Sequence, residues 1–279
     1  MNCCIKTDPA RGRFVCMEDG KIELAAALDF GIRISSLHVI GMENLFYEQP
    51  EDCSDGLATK EGWKIRGGHR LWLTPETDRI YWPDNDPVEW EQTEDGVLLT
   101  QKPEAWMQIQ KQLLIRLPGN GEVELSYLLT NLASSPLTTA LWQVNTVAGG
   151  GTAQIPFGGY TVGAAYPQRH ICLWGATDPW DARIHAQEDT IFARHDRNRT
   201  EYFKMGIFSS SGQAALVSRG QRLELSFGAE NGQEYPDGGC NFELYMNPFI
   251  MELETLGTVQ TILPGQTARH EERWKLSRL

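Results

Sequence analysis

The stretch from Met107 to Leu129 constrains the fold more than any other part of the chain. Met107, Ile109, Leu113, Ile115 and Leu117 fall on alternating positions, interrupted by Lys111. Pro118-Gly119-Asn120-Gly121 then breaks the run, and Val123, Leu125, Tyr127 and Leu129 alternate again. Period-two alternation on both sides of a turn is the pattern of a β-hairpin with one buried face. The pattern continues elsewhere. Residues 24–28, 32–37 and 45–47 read as short strands split by Asp29, Gly31 and Gly41-Met42-Glu43-Asn44. Residues 141–147, 204–208, 214–218, 223–227, 242–246, 251–255 and 270–276 read likewise, punctuated by 27 glycines and 14 prolines. No helix-length segment is strongly amphipathic, and no fixed-period repeat or linker divides the chain. The expectation is a single all-β domain over residues 1–279, an antiparallel sandwich or barrel. Its long loops, at 50–62, 76–90, 148–170 and 228–240, are where sites usually lie.

Composition excludes several classes. Apolar residues make up 41% of the chain and aromatics 10%, enough for a large core. With 25 Lys and Arg against 37 Asp and Glu, the net charge is −12. Such a chain is a poor partner for nucleic acid or an anionic membrane. No run approaches the roughly 18 apolar residues of a membrane helix. The N-terminal Met1-Asn2-Cys3-Cys4-Ile5-Lys6-Thr7-Asp8-Pro9 lacks an apolar signal core, so a cytoplasmic protein is expected. The six cysteines include the adjacent Cys3 and Cys4 but no C-x-x-C pair, so reduced, scattered thiols and no metal centre are expected. Gly149-Gly150-Gly151 and Gly158-Gly159 neither open a helix nor carry the Lys-Ser/Thr of a phosphate loop, and no cofactor is expected. Asp84-Asn85-Asp86 lacks the glycine and distal Glu of a calcium loop and reads as a solvated turn.

Two segments stand apart. Residues 63–76 read Trp-Lys-Ile-Arg-Gly-Gly-His-Arg-Leu-Trp-Leu-Thr-Pro-Glu. Paired glycines allow a sharp bend or a close approach, Arg66 and Arg70 offer planar donor forks, and Trp72 offers an apolar face for a sugar ring. The alternative is an irregular strand braced by an Arg70–Glu76 ion pair. Near the C-terminus, Met251-Glu252-Leu253-Glu254-Thr255 places Glu252 and Glu254 on one face of a strand. Turned inward, such carboxylates are buried and their pKa rises unless they are paired, which suits a general acid or base. Turned outward, they are surface charges.

With these residues the chain resembles the galactose mutarotase-like superfamily, which includes aldose 1-epimerases and hexose-6-phosphate epimerases, and most closely an uncharacterised branch of it. Asp29-Phe30-Gly31-Ile32-Arg33-Ile34 followed by Gly41-Met42-Glu43-Asn44 is similar to the family's early G-A-R-I strand and turn. Ile65-Arg66-Gly67-Gly68 is similar to the R-G-G of the hexose-phosphate epimerases. Glu124-Leu125-Ser126-Tyr127, Thr130-Asn131 and Ser135-Pro136-Leu137 resemble the central strand and its turn, and Leu253-Glu254-Thr255 with Leu263-Pro264-Gly265 resembles the closing segment. The resemblance implies an antiparallel β-supersandwich with long loops over one concave, sugar-sized face. It implies a monosaccharide or small glycan as partner. It also implies paired acid–base catalysis in which a Glu takes the anomeric hydroxyl proton and a His protonates the ring oxygen.

Glu254 matches the base. The acid does not match, because the stretch that carries H-x-Y-F in the epimerases reads Ala140-Leu141-Trp142-Gln143-Val144-Asn145 here, with Trp142 near the histidine's place. Either the acid has moved, with His69 the candidate, or the chain does not epimerise. His69 also reads as a hydrogen-bonded histidine beside the glycine pair. The expected site therefore comprises Glu254 and His69 as catalytic groups, with Arg66, Arg70, Trp72 and Glu76 binding substrate. Trp142 and Tyr245 are expected as stacking platforms, and Lys204 as a contact for a hydroxyl or acid group. The alternatives are a noncatalytic carbohydrate-binding protein and, behind it, a lyase or hydrolase acting on acidic sugars.

Overall fold

In the computed structural model, residues 2–49, 63–166 and 168–279 are described. Among them there is no helix, and the strands form two large antiparallel sheets of ten strands each and a small two-stranded one. The hairpin of residues 107–129 forms as the alternation predicts. Strands Ile109–Gly119 and Glu122–Asn131 pair with Leu113 opposite Tyr127 and Ile115 opposite Leu125, all four buried. It lies in the second sheet beside Thr267–Arg278, whose Ala268, His270, Glu272, Trp274 and Leu276 turn inward at period two.

The first sheet carries the chemistry. Its middle runs Gly68–Leu73, Leu141–Ala148, Ile250–Leu256, Phe242–Met246 and Phe203–Ile207, each hydrogen-bonded to the next. Leu141–Ala148 and Ile250–Leu256 are buried at every residue. One face of these strands packs on the second sheet, through Leu71, Leu73, Leu141, Val147, Met251, Leu253, Phe242, Leu244 and Met205. The other face carries a cleft walled by loops, which bury most of its strand residues.

Several elements are not visible in the sequence pattern. Asn2–Asp8, Glu89–Gln92 and Ile184–Gln187 are strands with largely exposed side chains, so they have no apolar face to announce them. Among the described residues each pairs with one neighbour, at a sheet edge. Residues 148–170, expected as one loop, contain the strand Thr152–Pro156. Residues 45–47 contribute a single bridge, Phe46 to Val147, instead of a strand. The loop expected at 50–62, with Cys53, lies outside the described residues. The described cysteines, Cys3, Cys4, Cys16, Cys172 and Cys240, are free thiols.

Candidate functional site

Strand register decides which side chains meet on the concave face. Trp72 lies opposite Trp142 and Arg70 opposite Val144. Val144 is opposite Glu254 and Thr146 opposite Glu252. Glu254 is next opposite Glu243, Glu252 opposite Tyr245, and Tyr245 opposite Lys204. Because alternate residues share a face, this register gathers Arg70, Trp72, Trp142, Lys204, Glu243, Tyr245, Glu252 and Glu254 on one surface. Loops wall it with Trp63, Ile65, Glu76 and Tyr81 on one side and Trp174, Gly175, Ala176 and Tyr202 on the other. They enclose a cleft of about 540 Å³, within the range of small-molecule sites.

At its floor Glu254 is only 1% exposed. Trp142 Nε1 donates to Glu254 Oε2 at 2.9 Å, and Lys204 Nζ donates to the same oxygen at 3.2 Å. Lys204 Nζ also lies 3.0 Å from Glu243 Oε2 and 3.8 Å from Glu76 Oε2. One ammonium thus faces two buried carboxylates. Burial pushes Glu254 up to about 7 against the pull of Lys204. Burial pushes Glu243 up to about 9, with Lys204 opposing the rise and Glu254 adding to it. Burial works against the Lys204 charge, but Glu254, Glu243 and Glu76 outweigh it and hold the ammonium above its usual range. The cluster therefore holds a charged Lys204, one compensating carboxylate and one carboxyl that keeps its proton near neutral pH.

Arg70 sits beside this group. Its guanidinium stacks 4.0 Å from the Trp72 ring centre, donates to the Ile65 carbonyl at 3.0 Å and lies 3.7 Å from Glu252 Oε1. Burial lowers its pKa to about 10. Thr146 Oγ1 donates to Glu252 Oε1 at 2.6 Å. Glu76 is exposed and accepts a hydrogen bond from Tyr81 Oη. Among the described residues Arg70 is therefore paired with Glu252, and not with Glu76 as in the brace of the alternative reading.

Two expected residues are elsewhere. His69 follows Gly68 by one position and so points to the opposite face, between the sheets, where it is fully buried. Its Nδ1 shares a 2.9 Å hydrogen bond with Asn145 Oδ1, and its ring meets Trp274 edge-on at 4.8 Å. Burial lowers its pKa to about 3, so it stays neutral. His69 cannot reach a molecule in the cleft, and the acid role given to it is corrected on that geometry. Arg66 also lies outside the cleft. It donates to Asn85 Oδ1 at 2.6 Å and stacks 4.2 Å from the Phe30 ring centre.

The reading of the sequence missed Trp63, Tyr81, Trp174, Tyr202 and Glu243. The first four come from loops, where no periodicity aims a side chain. Glu243 was within reach, since it shares the face of Tyr245 two residues on. Arg33, 1% exposed, holds the loop that brings Trp63 and Ile65 over the cleft, donating to Ile65 O at 3.0 Å and to Gly67 O.

No protein-family model and no curated protein matches the chain. Solved structures do. A galactose mutarotase-like protein from Lactobacillus casei ATCC 334 aligns with a TM-score of 0.62 at 11% identity, over 95% of this chain and 100% of that one. A protein from Escherichia coli K12, provisionally assigned as an aldose 1-epimerase, aligns at 0.63 and 11% identity over the whole of both chains. The fold is that of the galactose mutarotase-like proteins. The same fold occurs within larger chains: a TPR-domain containing protein from Parabacteroides distasonis ATCC 8503 aligns at 0.62 and 13% identity over 95% of this chain, which spans 47% of that one.

Proposed function

We propose that the cleft binds a neutral monosaccharide, or the end of a small glycan, and exchanges its anomers by aldose 1-epimerase-type chemistry. The observation that carries this reading is Glu254, buried at the floor of an aromatic-walled cleft with Trp142 and Lys204 on its carboxylate. Tryptophan and tyrosine rings suit the apolar face of a pyranose, and carboxylates suit its hydroxyls. The charge favours a neutral sugar. Glu76, Glu252 and Glu254 line the cleft against Arg70 and Lys204, and Arg70 is already engaged by Ile65 and Glu252. A phosphate or uronate would meet net repulsion.

In this mechanism Glu254 takes the proton of the anomeric hydroxyl as the C1 carbonyl forms and the C1–O5 bond breaks. The departing O5 receives a proton from Lys204. An alkoxide is a stronger base than an amine, so an ammonium with a raised pKa still protonates it. Rotation about C1–C2 and reclosure reverse the transfers on the other face. The noncatalytic alternative draws support from the same contacts, because Trp142 and Lys204 already occupy a Glu254 oxygen.

Exchange NMR on neutral, phosphorylated and acidic monosaccharides tests both readings. The expected result is faster anomer exchange for a neutral sugar, reduced by a factor of roughly 10² or more in Glu254→Gln. Saturable binding without acceleration supports the binding-only alternative. No binding of any sugar overturns both.

A further inference from the structure

A second group of reactive side chains lies at the edge of the first sheet, outside the acid–base cluster. His170 and Cys172, on the edge strand Ile171–Leu173 and the residue before it, meet Cys240 from the loop that enters Phe242–Met246. A ring nitrogen and two Sγ atoms lie within 4.8 Å of one another. His170 and Cys172 are two apart in extended chain, so they project to the same side.

The backbone is cleared around the thiols. A Cβ at Gly206 would lie 2.7 Å from Cys240 Sγ, and a Cβ at Gly238 would lie 2.8 Å from Cys172 Sγ. The loop turns through Asp237, Gly238 and Gly239, all at positive φ, and the Pro236 carbonyl accepts from the Gly239 and Cys240 amides at 2.9 and 2.8 Å. Cys240 is fully buried, whereas His170 is exposed. The cluster thus has a fixed inner end and an outer end open to solvent.

We propose that His170, Cys172 and Cys240 form a binding site for a thiophilic divalent cation, Zn²⁺ foremost, with the fourth position open to water. Two sulfurs and an imidazole are the soft donor set that selects such an ion over Mg²⁺ or Ca²⁺. Zn–S bonds of about 2.3 Å and Zn–N bonds of about 2.0 Å put tetrahedral donors roughly 3.5–3.8 Å apart. The three donors already lie within 4.8 Å of one another, so side-chain shifts of about 1 Å, the exposed His170 foremost, would bring them to that spacing. The ion would clamp the edge strand, which among the described residues pairs with Phe203–Ile207 alone, to the loop at 236–240. The strand runs on into Trp174, Gly175 and Ala176, so the clamp would also fix one wall of the cleft.

The test uses the full chain, metal-free and kept reduced, titrated with Co²⁺ and then Zn²⁺. The expected result is one Co²⁺ per chain with a thiolate-to-cobalt charge-transfer band, displaced by one equivalent of Zn²⁺, and a rise in Tm with Zn²⁺. Cys172→Ser/Cys240→Ser, which keeps the other cysteines, loses the band and the Tm response. His170→Ala, a change at an exposed position with little risk to folding, weakens affinity at least roughly tenfold. Absence of the band in the unmodified protein, unchanged stoichiometry in the double variant, or unchanged affinity in His170→Ala overturns the site.

Discussion

The strands Gly68–Leu73, Leu141–Ala148 and Ile250–Leu256 bury ionisable groups on both faces, and the two faces handle them differently. On the concave face charge meets charge: Lys204 with Glu254 and Glu243, Arg70 with Glu252. On the face between the sheets the partners are neutral. Asn145 Nδ2 donates to Glu272 Oε1 at 3.2 Å, its Oδ1 bonds His69, and no ion pair reaches Glu272 among the described residues. Burial accordingly pushes Glu272 up to about 8 and His69 down to about 3, leaving both uncharged at neutral pH. Between the sheets the buried groups give up their charge, whereas on the concave face Lys204 keeps its own beside one compensating carboxylate, and Glu243 stays protonated. Among the described residues, the concave face is thus where buried charged groups line the cleft.

The comparison breaks most readily at Lys204. Lys204→Met removes the one ammonium facing Glu254 and Glu243. A loss of about 3–5 kcal/mol in denaturant unfolding at pH 7 is expected, as for a buried pair that loses one member. Lowering the pH should recover part of it, since Glu254 then takes up a proton and Glu243 already holds one. A loss under about 1 kcal/mol would mean that the pair is not what holds this face.

His69→Ala probes the other face. It should cost about 2 kcal/mol, from a cavity and an orphaned Asn145 carbonyl oxygen, while sugar affinity stays unchanged. A selective loss of binding at intact stability would contradict the placement of His69.

The pH dependence separates the faces further. The folded pKa of Glu272 is raised above its unfolded value, so folded protein binds more protons between roughly pH 4.5 and 8. Its contribution to stability is present below that window and is lost as pH rises through it, at up to about 1.4 kcal/mol per pH unit. His69 titrates with the opposite sign, since its lowered pKa favours the unfolded state as pH falls below about 6.5. Comparing Glu272→Gln with the unmodified protein isolates the first effect. The variant should gain relative stability with rising pH, whereas a pH-independent difference would place an ionised Glu272 between the sheets.

Two further substitutions sharpen the boundary of the cleft. Trp142→Phe keeps the wall and removes the donor to Glu254, at a cost of about 1.5–3 kcal/mol in unfolding. Arg66→Ala removes one exposed hydrogen bond and one cation–π contact outside the cleft, so about 0.5–1 kcal/mol and no change in sugar affinity are expected.

The sequence shows the fold where one face is apolar and the other is not. Ile109–Gly119 and Glu122–Asn131 are legible because Leu113, Ile115, Val123 and Leu125 alternate with polar residues. Edge strands such as Asn2–Asp8 lack that contrast. The site was legible through strand register, with Glu252 and Glu254 two apart on one face and Arg70 and Trp72 two apart on another. The same period-two rule separates His69 from Arg70, and applying it would have excluded His69 from their face. The loop residues Trp63, Tyr81, Trp174 and Tyr202 follow from tertiary packing that no local pattern encodes. His170, Cys172 and Cys240 likewise come from separate segments, and sequence spacing alone does not unite them.

The measurement that tests the central claim most directly is anomer exchange of a neutral monosaccharide by NMR, run in parallel on the unmodified protein, Glu254→Gln and His69→Ala. The account predicts acceleration by the unmodified protein, loss of it in Glu254→Gln and retention of it by folded His69→Ala. Acceleration that survives Glu254→Gln but disappears in His69→Ala would place the chemistry between the sheets and contradict the assignment of the concave face.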